Sequence, residues 1–315
     1  MTRALLITNP VAARHAARAL GAIRTTLRAG GWEVEVRATA APGDARRFAT
    51  EARASGVDVV VCHGGDGTAM QAAAGLVGSG IPLGVVPGGT GNILARNLRL
   101  PQRPVAAARA LLAGRPLAID LGVVERADGP HYFAVCSGAG FDAEVMRRTE
   151  GPLKQRWRMG AYFARALSAL PDVRSAALQI TVDGVVHEVR AAVALVANCG
   201  ELFPPFFKLH RDVWPNDGWF DLVTLRADGA VEGVSAFLEL LRGPGNGTGW
   251  EGAGGRVWHA RGRTIRVEVT SAAQLRVQLD GEVVGETPFE ARLLPGALRV
   301  LVDPATVPGG MPADG

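Results

Sequence analysis

The sequence predicts an α/β domain followed by a mostly β domain, and three observations carry that prediction. In the first 120 residues, short runs rich in Val, Ile and Leu alternate with longer helical patterns, the order of a parallel sheet covered by helices. After Asp120 the texture changes to alternating segments joined by turns. The 315 residues exceed one typical domain, and 48% hydrophobic with 20% charged residues allows a large core and argues against disorder.

Taken in order, a first strand is expected at residues 4–8, an apolar run ending in Asn9-Pro10 and too short for a secretory signal. Strands follow at 32–37, 57–62 and 82–86, continuous apolar runs of the kind found in buried parallel sheets. Helices are expected between them at 12–29, 43–54, 68–77, 90–97 and 104–113. The boundary falls near 115–120, giving a first domain of 1–118 and a second of 119–303. In the second, strands are expected at 131–137, 178–183, 185–197, 219–225, 263–270 and 275–279, with helical pattern over 141–170 and 231–241. Asp183-Gly184 between alternating segments is a hairpin signal. Residues 243–255 are glycine-dense and read as a mobile loop, and 304–315 as a disordered tail. The longest apolar stretch, around 191–197, is too short to span a bilayer, so a lipid partner must be met from the water side.

The net charge of +4 rests on arginine, the lysines being Lys154 and Lys208 alone. A mild positive balance suits nucleotide phosphates, anionic lipids or nucleic acid, and equally a surface with no such partner. Cys62, Cys136 and Cys199 are odd in number, far apart and set in apolar runs. They read as buried reduced thiols of a cytosolic protein, without disulfide or zinc spacing.

Two glycine loops carry the chemistry. Gly64-Gly65-Asp66-Gly67-Thr68 follows a strand and opens a helix. Glycines there let backbone N–H groups approach phosphate oxygens, and the helix N-terminus adds a favourable dipole. An acid at Asp66 is odd beside an anion unless it holds a cation, which a Mg²⁺–nucleotide complex would supply. A plain strand-to-helix turn with Asp66 as cap reads the same residues without a ligand. The second loop, Pro87-Gly88-Gly89-Thr90-Gly91-Asn92, repeats the setting at a neighbouring strand end, and one shared ligand accounts best for both. No Walker lysine motif is present.

Other patterns weigh less. Gly138-Ala139-Gly140-Phe141-Asp142-Ala143 fits a dinucleotide motif but lies outside any βαβ unit. His210-Arg211-Asp212 resembles a protein-kinase catalytic loop whose companion motifs are missing, and the histidines lack metal spacing. Asp280-Gly281-Glu282 reads as a hairpin turn. Arg147, Arg148, Lys154, Arg156 and Arg158, interleaved with Trp157, Tyr162 and Phe163, fit either an anionic membrane surface or an ordinary amphipathic helix.

Together these motifs resemble the diacylglycerol kinase catalytic family, which includes bacterial lipid kinases, sphingosine kinases and ceramide kinases. The resemblance runs from Leu5 to about Val302. It rests on Asn9-Pro10, both glycine loops continuing to Ala95-Arg96, Gly140-Phe141-Asp142-Ala143 with Gly160-Ala161-Tyr162, Asp217-Gly218 with Asp221, and Asp280-Gly281-Glu282. It implies a nucleotide domain of NAD kinase/diacylglycerol kinase type and a C-terminal β-sandwich with a cleft between them. By position, Asn9, Thr39, residues 64–70 (Gly64, Gly65, Asp66, Gly67 and Thr68 foremost), Gly89, Thr90 and Asn92 would contact ATP, with Asp66 holding its Mg²⁺. Asp280 would be the general base and Glu282 a metal-side partner. Asp217, with the backbone carbonyls of Trp214 and Trp219, matches a second, structural Mg²⁺ site of bacterial relatives, although residues 203–214 are bulkier and more aromatic here.

The implied activity is transfer of the ATP γ-phosphate to a lipid hydroxyl, with diacylglycerol or a related glycerolipid as acceptor. The alternatives are an NAD kinase or a catalytically silent lipid-binding module. The implied setting is cytoplasmic, peripheral to the inner face of the membrane, with lipid and ATP as partners and no nucleic acid. Edge strands of the β domain also allow pairing into a homodimer.

Overall fold

The computed structural model describes residues 1–10, 16–141, 170–203, 207–209, 213–242, 255–271 and 274–306. Two compact units emerge, one of Met1–Leu121 with Pro295–Gly315, the other of Gly122–Leu294.

In the first unit, β1 (Arg3–Thr8), α1 (Ala16–Ala29), β2 (Glu33–Ala38), α2 (Asp44–Ala52), β3 (Val59–Gly64), α3 (Asp66–Leu76), β4 (Leu83–Pro87), α4 (Ile93–Asn97) and α5 (Pro104–Ala113) follow in sequence. The strands lie parallel in the order β2-β1-β3-β4, with Leu6 opposite both Val36 and Val61. Side chains of a strand alternate between faces. Ala4, Leu6, Val59, Val61 and Val86 therefore share one face, buried with Ile23 and Leu27 of α1 and Ala107, Ala108 and Leu111 of α5. Leu5, Ile7, Val60 and Cys62, on the other face, are fully buried too, so both sides of the sheet are covered. The helices α2 and α3 pack against each other, and Gly75 sets how closely: a Cβ there would lie 2.5 Å from the Arg46 carbonyl oxygen and 2.7 Å from the Ala49 Cβ.

The second unit is built of antiparallel strands: β5 (Arg115–Arg126, entering from the first unit), β6 (Gly129–Phe133), β7 (Cys136–Gly140), β8 (Ala176–Val182), β9 (Val185–Ala191), β10 (Val193–Ala197), β11 (Glu201–Phe203), β12 (Phe207–Lys208), β13 (Phe220–Leu225), β14 (Val257–Gly262), β15 (Thr264–Val269), β16 (Arg276–Leu279), β17 (Glu282–Glu286) and β18 (Phe289–Val302). One helix, α6 (Ala230–Arg242), follows β13. One sheet runs β14-β13-β10-β7-β16-β17, and β18, β15, β8 and β9 are consecutive neighbours in another. A single core takes Ala139, Val196, Leu222 and Val277 from the first of these sheets and Ile180, Val267 and Ala291 from the second, with Phe133 stacked on Phe220 at 5.5 Å. This is the expected β-sandwich.

Several details differ from the sequence reading. The 131–137 run is two strands, broken at Ala134–Val135, and 185–197 is two strands of different sheets that part at Ala192. The 14-residue β18 was not anticipated, because Pro295-Gly296 inside it reads as a breaker. Its first residues pair with β15, while Val300 pairs with Leu83 of β4, which takes Pro295–Val302 into the first unit rather than the second. Pro304–Thr306 forms a 3₁₀ turn where a disordered tail was expected. Expectations for 142–169, including the basic stretch 147–163, for 210–212, for most of 243–255 and for 307–315 lie outside the described residues.

Candidate active site

The first unit gathers its predicted residues at the carboxyl ends of its parallel strands. The ends of β1, β2, β3 and β4 are joined there, Thr39 N–H donating to Thr8 O at 2.9 Å, Asn9 N–H to His63 O at 3.1 Å and Gly88 N–H to Gly64 O at 2.8 Å. The two glycine loops touch backbone to backbone. A Cβ on Gly89 would come within 2.6 Å of the Gly65 Cα, and one on Gly88 within 3.1 Å of the His63 ring. Asn9 Nδ2 donates to Thr68 Oγ1 at 3.2 Å, tying β1 to the first turn of α3.

The first loop places Gly65 in extended backbone as the cap of α3, with Asp66 at the first helical position. The second is closed by Asn92, whose φ of 47° puts it in the left-handed region tolerated by Asn. Its Oδ1 accepts from Gly89 N–H at 3.0 Å and its Nδ2 donates to Gly89 O at 3.2 Å. Thr90, between them, is exposed.

Asp66 couples the loops. Its carboxylate accepts from Leu94 N–H at 3.4 Å, at the start of α4, and a Cβ on Gly91 would lie 2.9 Å from its Oδ2. Burial pushes the Asp66 carboxyl up, and the backbone N–H groups of Ile93, Leu94 and Asn92 offset only part of that. A desolvated acid with incomplete compensation is what a bound cation would relieve, so the residues here fit a metal-bearing nucleotide. His63 lies beneath the loops, packed in the core as the residue next to the buried Cys62. It is buried, its Nδ1 is 3.2 Å from Thr8 Oγ1, and burial lowers its pKa.

In the second unit Asp280 and Gly281, with φ of 46° and 88°, form the two-residue turn between β16 and β17. The turn was legible from Asp-Gly; the anchoring of the side chain was not. Asp280 Oδ2 accepts from Ala134 N–H at 2.8 Å, and Oδ1 from Val135 and Cys136 N–H, each at 2.9 Å. Ala134 and Val135 are the residues that break the expected 131–137 strand, and Asn198 Nδ2 holds the same kink by donating to Ala134 O at 2.9 Å. Glu282 is exposed at the start of β17.

Two family profiles match this chain, one described as the diacylglycerol kinase catalytic domain over residues 3–124, the other as the YegS C-terminal NAD kinase beta sandwich-like domain over residues 135–302. A diacylglycerol kinase of Bacillus subtilis is 30% identical over 300 residues, 92% of this chain and 93% of that protein. The chain belongs to the diacylglycerol kinase family. A probable lipid kinase YegS-like protein of Pseudomonas putida is 32% identical over 276 residues, 87% of each chain. The crystal structure of a putative diacylglycerol kinase from Bacillus anthracis superposes with a TM-score of 0.79 at 25% identity, covering 97% of this chain and 96% of that one.

Against that family background, the residues implied for the second, structural Mg²⁺ are otherwise engaged in this diacylglycerol kinase homologue. Asp217 Oδ1 accepts from Trp219 N–H at 2.9 Å, its Oδ2 takes Arg261 at 2.7 Å, and the Trp214 carbonyl accepts from Asp217 N–H at 3.2 Å. Arg261 also reaches Asp221 Oδ2 at 3.4 Å, and His259 Nε2 lies 2.7 Å from Asp221 Oδ1. Among the described residues no group of three or more His, Cys, Asp and Glu side chains is arranged to hold a metal. The Arg261 guanidinium thus pairs with both acids beside the expected site. The sequence reading places no strand over 257–262, and the burial of β14 does not alternate, so nothing marked Arg261. The Gly138–Gly140 motif is likewise structural: Gly140 has φ 107° in β7, and a Cβ there would collide with the Ala192 carbonyl oxygen.

Proposed function

We propose that the chain transfers the γ-phosphate of ATP to a lipid hydroxyl, with diacylglycerol or a related glycerolipid as acceptor. The observation that carries the reading is the interlocked pair of glycine loops at the strand ends, with Asp66 between them, in a chain of this family. Mg²⁺ bound with ATP would neutralise phosphate charge as it is redistributed in transfer. The chain's own part is to position and to move a proton. Backbone N–H groups of Gly67 and Thr68, in the first turn of α3, lack intrahelical acceptors and face the phosphate-binding role that a helix N-terminus supplies. Asp66 would hold the metal side, Glu282 would assist it, and Asp280 would take the acceptor's proton.

The three backbone amides that grip Asp280 fix the orientation of its carboxylate at the turn. A well-placed general base contributes about 10²–10⁴-fold. Labelled ATP incubated with diacylglycerol, phosphatidylglycerol, sphingosine, ceramide and NAD in turn tests the acceptor, and label on a glycerolipid is expected. Asp280→Asn should lower kcat about 10²–10⁴-fold with KM for ATP retained. It should lower the melting temperature as well, because the Asn NH2 cannot accept from every backbone N–H that the carboxylate now holds. A near-wild-type rate overturns the base assignment, and label on NAD alone overturns the lipid.

A further inference from the structure

We infer that the end of the sandwich bearing Trp219 and the Val185–Val186 hairpin docks on an anionic lipid bilayer. The inference rests on the lipid-kinase reading for its partner and on the second unit alone for its geometry.

The β8–β9 hairpin turns through Asp183 and Gly184, both at positive φ, and then presents Val185 at 59% and Val186 at 55% exposure. Consecutive strand residues point to opposite faces, so two exposed neighbours mean that the tip has neither face covered. Asp183 fastens this tip to the β14–β15 corner, its Oδ1 accepting from Arg263 N–H at 2.9 Å and Thr264 N–H at 2.8 Å. At that corner Trp219 is partly exposed, with the Arg263 guanidinium over its ring at 4.8 Å and that of Arg261 at 6.0 Å. Arg261 is committed to Asp217 and Asp221, whereas Arg263 donates to the Gly218 carbonyl and keeps its positive charge unneutralised by that bond. An exposed aliphatic tip, an indole and arginine together match the chemistry of a bilayer interface, where Trp sits at headgroup level and cations meet lipid phosphates.

The location favours a membrane over another apolar partner. Arg261 pairs across the sheet with Asp221, Asp221 with Ala197 and Ala197 with Cys136, whose carbonyl accepts from Asp280 N–H at 2.9 Å. The docking corner and the proposed base therefore share one end of that sheet. Three strand spacings separate β13 from β16, about 14 Å. A second apolar face, Val231, Val234, Phe237 and Leu238 of α6, follows the opposite end of β13, about 17 Å along the strand, and would carry Asp280 away from the surface it met.

Flotation with mixed phosphatidylcholine–phosphatidylglycerol vesicles, measured without ATP, reads docking independently of catalysis. A Val185→Ser/Val186→Ser/Arg263→Gln variant should bind about tenfold or more weakly than wild type. Its rate on acceptor dispersed in detergent micelles should be unchanged, and its rate on acceptor in vesicles should fall in step with binding. Unchanged vesicle binding by this variant, or a tenfold loss seen instead with Val231→Ser/Leu238→Ser, overturns the assignment. Binding that falls as expected while no lipid in micelles is phosphorylated leaves the docking surface standing and removes the lipid-kinase reading.

Discussion

Asp66 is where the chain holds charge against its own surroundings. Burial raises its pKa, whereas burial lowers that of His63. A carboxyl whose folded pKa lies above its unfolded value holds its proton more tightly when folded, so its contribution to stability falls as pH rises through the window above about 3.9. A histidine with a lowered folded pKa acts oppositely: its contribution is present above about 6.5 and is lost as pH falls below that. The two effects overlap in mild acid, and comparing wild type with Asp66→Asn isolates the first because His63 is common to both. As pH falls from neutrality towards the ordinary carboxylate range near 4, the ligand-free wild type should gain stability relative to Asp66→Asn in thermal melts. The opposite slope would show that the amides of α4 already compensate the charge. At neutral pH the same variant should lose at least about 100-fold in turnover, as expected when transition-state charge compensation is removed.

The two glycine loops owe their positions to the strands and helices that bracket them, and the glycines differ in what they do there. Gly89 abuts the Gly65 Cα, and neither backbone can yield without opening the loop pair. Gly89→Ala should therefore cost about 1–3 kcal/mol, the range for overpacking, and raise KM for ATP. Gly21, in the middle of α1, has nothing within 4 Å of the point where a Cβ would stand. It should respond in reverse, Gly21→Ala adding roughly 0.5–1 kcal/mol from helix propensity. Equal effects in denaturant titrations would contradict the loop–loop contact. The contrast also marks what a sequence shows. The α/β order, α5 at Pro104–Ala113 and the Asp183 and Asp280 turns were legible because periodicity and turn chemistry are local. What escaped was set by distant partners. Ala134–Val135 is kinked by a carboxylate some 145 residues on, and β18 runs through Pro295-Gly296 because two different neighbours pair with its ends. Glycine loops announce themselves; the arginine beside Asp217 does not.

At the scale of the whole molecule, the two units surround their buried acids differently. In the first, Asp66 is a buried acid short of compensation, and its cation would arrive with nucleotide. In the second, the acids carry their own cation. Asp217 and Asp221 are bridged by Arg261, whose side chain is 44% exposed while that of Asp221 is 6% exposed. Chelation with EDTA should accordingly leave the ligand-free melting temperature unchanged, whereas Mg²⁺ with ATP at 100 times its dissociation constant should stabilise by about 2.7 kcal/mol. Removing one partner of a fully buried ion pair costs about 3–5 kcal/mol, and the exposure of Arg261 lowers the expectation for Arg261→Ala to about 1–3 kcal/mol. Because that variant leaves two neighbouring carboxylates without their bridge, it should acquire a dependence on Mg²⁺ that the wild type lacks, read as a rise in melting temperature with added Mg²⁺ and no ATP. A ligand-free wild type that EDTA destabilises would place a metal in the sandwich and remove Arg261 from the role of cation.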